Sequence, residues 1–401
     1  MELTTEQQDL RDAIRGLLSR HQAPDGPGIA RAWAAGDRVP GLAAWRALAA
    51  LGVTALAVPE RAGGLGTSFT DVVVACEEIG HHALPGPVAE SVAAVPVLLA
   101  ALPAGPPSED GSSEILISEN EVSGGAPSSQ ARPGGAPPGA DWSRADPPGA
   151  DMPGAGAPGG WLPGLAGGEL IATLSAPPWL PFAADADAAG LVLLADGGAV
   201  RLATPGGRHR SVDRTRSLFE TTGGQVLAGG PAAADAIARA LDAGALASAA
   251  QLLGVGRAAR WPLAGHAGQR TQFGRPIGSF QAVKHPLADV AIGLEFAGPL
   301  LHAAAVTLDG GGCHAARDVS AAKVACTDAA RRAARVALQV HGAIGYTEEH
   351  DLHLWLTKVR ALAGAWGSQA EHRARVMTAI SAPGQAPGAA RPQAAGEPVW
   401  S

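Results

Sequence analysis

The chain has 401 residues, of which 54 are Gly and 32 are Pro, so about a fifth of it resists regular structure, while an apolar fraction of 46% suffices for a sizeable core. At roughly 150 residues per domain this length implies two or three domains and excludes a small stapled fold. With 30 Lys and Arg against 37 Asp and Glu, the net charge of −7 leaves no basic field to attract phosphate backbones, and nucleic acid is not an expected partner.

The first residues, MELTTEQQDLRDAIRGLL, are acidic and polar where a signal peptide is basic and then apolar, and no run approaches ~18 uninterrupted apolar residues. Cys76, Cys313 and Cys326 show no Cys-x-x-Cys spacing and fit neither a disulfide framework nor a zinc knuckle. A soluble, cytoplasmic protein in a reducing compartment, with no membrane partner, is expected. Thr4 or Thr5, three residues ahead of Gln7 or Gln8, predicts a capped helix carrying Leu10, Ile14, Leu17 and Leu18 on one face. A second helical stretch holds Trp45, Leu48 and Leu51. Val58 and Pro59 then lead into the glycine turn at 62–66, and helix resumes from Val72 to Ile79. These elements define an N-terminal helical domain, 1–101.

Residues 102–168 are dominated by Pro-Gly and Gly-Ala-Pro steps that bury too little apolar surface to offset backbone entropy, so most of the segment is expected to be disordered, with one island at Glu114–Val122 that could form a strand. From 169 to 228, short apolar runs separated by Gly-Gly and Pro-Gly-Gly turns predict a reduced β domain. Beyond Pro231 the chain is Ala-rich with long helical periods, predicting a C-terminal four-helix bundle over 229–380 and a loose tail, 381–401. Pro262 and Pro286 are expected to mark helix starts or kinks. This mainly α order, with one β insertion, is not the alternating pattern of a parallel α/β sheet, and no GxGxxG, Walker or GxSxG motif is present.

Two stretches carry chemistry. Residues 269–285 read QRTQFGRPIGSFQAVKH: a guanidinium at Arg270, an aromatic at Phe273, two glycines for a tight bend and an amide at Gln281. Such a set suits a planar anionic ligand, since guanidinium meets diphosphate bidentately and an aromatic packs on a ring system; it also suits a loop that simply joins two helices. Residues 339–356 read QVHGAIGYTEEHDLHLWL, with Gln339 and His341 closing one helix and Gly342 and Gly345 turning into the next. His341, His350 and His353 lack an acidic or cysteine partner set of metal-site spacing, and Cys313-His314 lacks an identifiable base, so neither a metal centre nor a thiol nucleophile is expected.

Together the two stretches, with VPERAGGLG at 58–66 and EEIG at 77–80, resemble the acyl-CoA dehydrogenase family over residues 1 to about 100 and 230 to about 380. The resemblance implies FAD as cofactor, an acyl-CoA thioester as substrate, an electron-transfer acceptor, and a homo- or hetero-oligomer in which the flavin site is shared between chains. It implies that Arg270, Gln272 and Phe273 contact FAD, the arginine at the diphosphate of a flavin held mainly by a neighbouring subunit, and that Gln281, Gln339 and Gly342 line the adenosine side. Ala343 stands where the family commonly has a second glycine, and the family's Thr-Glu-Pro and Gly-Ser-Asp loops are not visible in the middle region.

The family's α,β-dehydrogenation needs a carboxylate to take the α-proton while hydride passes to the flavin. At the three positions where members carry that glutamate, this chain has Trp366, Gly244 and Gln251, none of which is a base. Asp242 is two residues from Gly244 and so faces elsewhere on a helix. Glu348 and Glu349 are read as solvated or capping acids, and Trp366 either as core, continuing the stripe Leu352, Trp355, Leu356, Val359, Leu362 and Ala363, or as a plug in the acyl pocket. Two roles follow: a dehydrogenase of an acyl thioester, or a non-catalytic subunit that completes the flavin site of a base-bearing homologue.

Overall fold

Thr4 opens helix α1 (Thr5–His21) through the expected capping box: its hydroxyl accepts from the Gln7 amide and its own amide donates to the Gln7 side chain, both at 3.2 Å. The computed structural model describes residues 3–23, 26–103, 158–347 and 350–381. The strand expected at Glu114–Val122, the acids Glu348 and Glu349, and the tail beyond 381 lie outside these. Helices α2 (Gly28–Ala34), α3 (Val39–Ala50) and α4 (Phe69–His81) follow, and α5 (Val95–Ala101) continues from a single π turn at Glu90–Ala94.

The low-complexity segment ends earlier than its composition suggests. A turn at Pro158–Trp161 leads into α6 (Leu162–Ala166), and Trp161, Leu162 and Leu165 are buried in the main core. Three large apolar side chains within nine residues recover the ordering entropy despite the flanking Gly and Pro.

The β region is a five-stranded sheet in the order β1-β3-β4-β5-β2, built from β1 (Ala172–Ser175), β2 (Ala183–Ala184), β3 (Leu191–Asp196), β4 (Ala199–Arg210) and β5 (Ser217–Ala228). The β1–β3 pair is parallel and the others antiparallel. Gly197 and Gly198, with φ of 57° and 77°, form the predicted tight turn between β3 and β4. Pro205-Gly206-Gly207 is not a turn: it lies inside β4, where the pairing register with β5 shifts. The residues around it are largely exposed, and a bulge accommodates both a missing amide donor and missing side chains.

Five helices form the C-terminal part: α7 (Pro231–Gln269), α8 (Gln281–Asp309), α9 (Ala315–His341), α10 (Leu352–Gly364) and α11 (Gln369–Ser381). The bundle expected from the sequence is α7 to α10, with α11 laid against α9. Pro262 and Pro286 mark no helix start: α7 runs through the first, and α8 contains the second together with Pro299. α8 is long and apolar enough by composition to cross a membrane, yet Val290, Leu294, Ala297 and Leu301 are buried on its inner side.

α4 and α7 cross with their backbones in contact. A β-carbon on Gly80 would overlap the main chain of Gln251, and one on Gly254 would overlap the main chain of Glu77. This close crossing joins the N-terminal helices to the bundle. Arg31 on α2 adds a bidentate pair with Asp351, at 2.8 and 2.7 Å, at the start of α10.

Candidate functional site

The first site lies at one end of the bundle. Because α7, α8 and α9 run antiparallel in turn, the C-terminus of α7, the N-terminus of α8 and the C-terminus of α9 meet there. Between α7 and α8, β6 (Thr271–Gln272) and β7 (Arg275–Pro276) form a hairpin whose two-residue turn, Phe273-Gly274, has φ of 52° and 78°. Two successive positive values are the turn geometry preferred by right-twisted hairpins, but Phe is a costly occupant, at about 1–2 kcal/mol.

Phe273 is 92% exposed. Phe280 stands edge-on to it with ring centres 6.2 Å apart, and Arg275 lies over the Phe280 ring at 4.1 Å. Arg270, Gln272 and Gln281 are exposed beside it, as are Gln339 and Gly342 at the end of α9. The Arg270 carbonyl accepts from the Ile277 amide at 2.8 Å, which closes the loop.

The two motif stretches are joined by a residue that sequence reasoning missed. His266, one helical turn before Arg270, stacks on His341 with ring centres 4.5 Å apart, and His341 in turn contacts His350 at 4.9 Å. Burial first, then the neighbouring imidazoles and, for His266, the Arg270 guanidinium, push the pKa values of His266 and His341 below the usual imidazole value. His353 hydrogen-bonds the His350 carbonyl at 3.0 Å instead of joining the stack. The spacing of His266 from Arg270 was the available signal. All six expected cofactor contacts therefore share one exposed edge, where Arg270, Arg275 and Lys284 supply positive charge.

The second site is the junction of N-terminal helices, sheet and bundle, where the three positions that lack a base converge. Trp366 does not continue the α10 stripe: the helix ends at Gly364, and Trp366 sits in the following turn with φ of 60°, 1% exposed. Its six-membered ring covers Gly244, whose absent side chain makes the contact possible. Gln251, two turns further along the same face of α7, and Trp366 both line a cavity of about 20 Å³. Asp242 is committed elsewhere, in a bidentate pair with Arg375 of α11.

Val88, Ala89 and Leu362 share the rest of that cavity with charged groups. Glu90 from the π turn, Asp185 and Asp213 from the loops beside the sheet, and Arg216 and Lys358 all line it. Lys358 pairs with Asp213 at 3.3 Å, and Arg216 approaches Glu90 at 3.9 Å. Burial raises the pKa of Glu90, partly offset by Arg216, and raises that of Asp185 to about 7 against the amide bond from Ser217. For Asp213, burial is outweighed by Lys358 and the Thr215 hydroxyl and amide together, so its pKa is lowered. The signal for Glu90 was a single acid within the apolar run from Val88 to Val95.

Elsewhere, Glu78, His81 and His82 place ligand atoms within 4.8 Å of one another, but both oxygens of Glu78 accept from Arg15 at 2.9 Å, which occupies the charge a metal ion would need. Cys313 is exposed in the loop between α8 and α9, and burial pushes the thiols of Cys76 and Cys326 up to about 12.

Comparison with known proteins agrees with this architecture. The acyl-CoA dehydrogenase N-terminal domain model matches residues 4–102 and the C-terminal domain model residues 234–381. Acyl-CoA dehydrogenase IpdE2 of Mycobacterium tuberculosis is 28% identical over 365 residues, covering 89% of this chain and 92% of that protein. An acyl-CoA dehydrogenase of Bacillus subtilis is 39% identical over 110 residues, 27% of this chain and 29% of its own. Among solved structures, a glutaryl-coenzyme A dehydrogenase in complex with glutaryl-CoA aligns with a TM-score of 0.71 at 17% identity, covering 95% of this chain and 96% of that one. Butyryl-CoA dehydrogenase from Megasphaera elsdenii aligns at 0.68 and 18%, covering 95% and 99%. The fold and the two matched domains define an oxidoreductase class that acts on the CH–CH bond of acyl thioesters. The chain belongs to the acyl-CoA dehydrogenase family, whose function is FAD-dependent dehydrogenation of acyl-CoA.

Proposed function

We propose that this chain serves in α,β-dehydrogenation of an acyl-CoA by presenting the hairpin edge to an FAD held mainly by a neighbouring protomer. The observation that carries this reading is Phe273: a large aromatic side chain, held in a strained left-handed conformation at a hairpin tip, standing in solvent. Such strain and exposure persist where a partner surface completes the contact. Arg270 meets the diphosphate, Gln272 and Phe273 contact the cofactor beside it, and Gln281, Gln339 and Gly342 line the adenosine side. Bound flavin would supply the hydride acceptor, with an electron-transfer protein as the next acceptor. A row of exposed apolar residues along α8, Ile292, Phe296 and Leu300 at intervals of four, supports packing against another chain of this fold. A cytoplasmic location goes with this reading.

The test is flavin retention by the purified oligomer. Arg270→Ala and Phe273→Ala should each weaken FAD binding at least tenfold; unchanged flavin content in both variants would refute the assignment. A second reading, the non-catalytic companion of a base-bearing homologue, is favoured by the burial of Trp366 over Gly244 and the amide at Gln251. Turnover of acyl-CoA by this chain alone with an artificial electron acceptor would eliminate it.

A further inference from the structure

We infer that Trp366 closes the acyl chamber of this chain, so that the thioester handled by the complex is seated elsewhere. The inference rests on the family reading above and deepens it by naming the residue that excludes the substrate. Three positions that are far apart in sequence, and at each of which the family can place its carboxylate, come together around one indole: Gly244 lies under the ring, while Gln251 and Trp366 itself line the remaining space. About 20 Å³ of open volume is left there, room for about one water molecule and no acyl chain.

The indole is held by a hydrogen bond to the Glu90 carboxylate, and the backbone that carries it is fixed as well. The Trp366 carbonyl accepts from His372 Nε2 at 2.8 Å, and His372 Nδ1 accepts from the Ser320 hydroxyl at 3.1 Å. The next amide, Gly367, donates to the Trp179 carbonyl at 3.3 Å. One turn earlier, the buried amino group of Lys323 donates to the Leu362 carbonyl at 2.9 Å and to Ser248 at 2.7 Å, which caps the end of α10 and fixes where the turn begins. Four separate elements therefore over-determine a left-handed tryptophan that would otherwise relax.

The lining of the residual space also disfavours an acyl chain. Glu90 Oε1 and Asp185 Oδ2 are buried there without a hydrogen-bond partner. Methylenes placed against them would exclude the water that can satisfy them, so an apolar guest gains little and strands polar atoms. Beside Val88, Ala89 and Leu362, the walls carry carboxylates, a guanidinium and an ammonium, which an acyl chain would have to desolvate.

The experiment compares CoA with octanoyl-CoA by calorimetric titration of the full chain purified alone, for the natural protein and for Trp366→Gly. The natural chain should bind octanoyl-CoA no more than about threefold tighter than CoA, or bind neither. Trp366→Gly should bind octanoyl-CoA at least tenfold tighter than CoA. If the natural chain itself shows a tenfold or greater preference for octanoyl-CoA, the chamber is open and the inference fails. If the variant gains no preference, Trp366 is not what closes it and the inference fails equally. Should the glycine variant not fold, Trp366→Leu replaces it and must show the same gain in preference for the inference to stand. Flavin absorbance of the same samples reports separately on the hairpin edge, so failure of one reading is distinguishable from failure of the other.

Discussion

Adding one methyl group at Gly244 probes the contact on which the closed chamber depends. In an ordinary helix interior, Gly→Ala stabilises by about 1 kcal/mol. Here the new β-carbon would fall within the six-membered ring of Trp366, which is 1% exposed. The ring is tied to the Glu90 carboxylate, and the backbone beneath it is hydrogen-bonded at the Trp366 carbonyl and the following amide. Overpacking of this kind costs ~1–3 kcal/mol and outweighs or at least cancels the propensity gain. Once the indole is gone the sign reverses: Trp366→Ala alone should cost ~3–5 kcal/mol, but adding Gly244→Ala to it should recover about 1 kcal/mol or more, since the methyl enters vacated space. The coupling between the two sites is then about 1–3 kcal/mol, above the scatter for independent positions. Urea midpoints at constant m-value for the four proteins measure it. Equal stabilisation by Gly244→Ala in both backgrounds would show that the ring does not rest on this glycine.

Three further outcomes are expected. Burial lowers the pKa of His372 from 6.5 to about 4, so the unfolded chain binds the proton more readily in that interval. The associated stability is fully present above pH 6.5 and is lost as pH falls toward 4, by about 3 kcal/mol. His372→Gln should flatten this difference; a natural protein whose stability falls no faster than the variant's across that window would contradict the burial argument. Gly254→Ala should destabilise by about 3 kcal/mol or more in the same urea assay, since the overlapping atoms belong to the Glu77 backbone and cannot rotate away; a neutral result would mean that α4 and α7 are further apart. Asp185→Asn should stabilise at pH 8, because the carboxyl pushed up to about 7 contributes fully only below its unfolded value of 3.8 and loses that contribution as pH rises; thermal melts at pH 4 and 8 should show the gain at the higher pH alone.

Much of the edge that faces the proposed cofactor is local information. Arg270, Phe273 and Gln281 lie within a dozen residues, and a tight bend between two helices necessarily exposes its tip. The capping box at Thr4 and the glycine turn after β3 are equally local, since each depends on dihedral preferences and hydrogen bonds within a few residues. That Gln339 and Gly342 join the same edge follows from three long helices alternating in direction.

The closed chamber depends on contacts between residues distant in sequence. Glu90, Gly244 and Trp366 belong to a π turn, a long helix and a turn after another helix, and no periodicity connects them. Trp366 fits an apolar helical stripe when counted along the chain, but the helix stops two residues earlier, because Lys323 caps it and His372 and Trp179 hold the next turn. Pro205-Gly206-Gly207 and the segment from Pro158 fail as sequence signals for a related reason: Gly and Pro announce flexibility, and whether a neighbouring strand or core absorbs that flexibility is settled only when the chain is packed. The residue types thus determined the family, the helical order, the residues of one candidate edge and the tryptophan at a carboxylate position, whereas tertiary packing alone decided that its indole lies buried on Gly244.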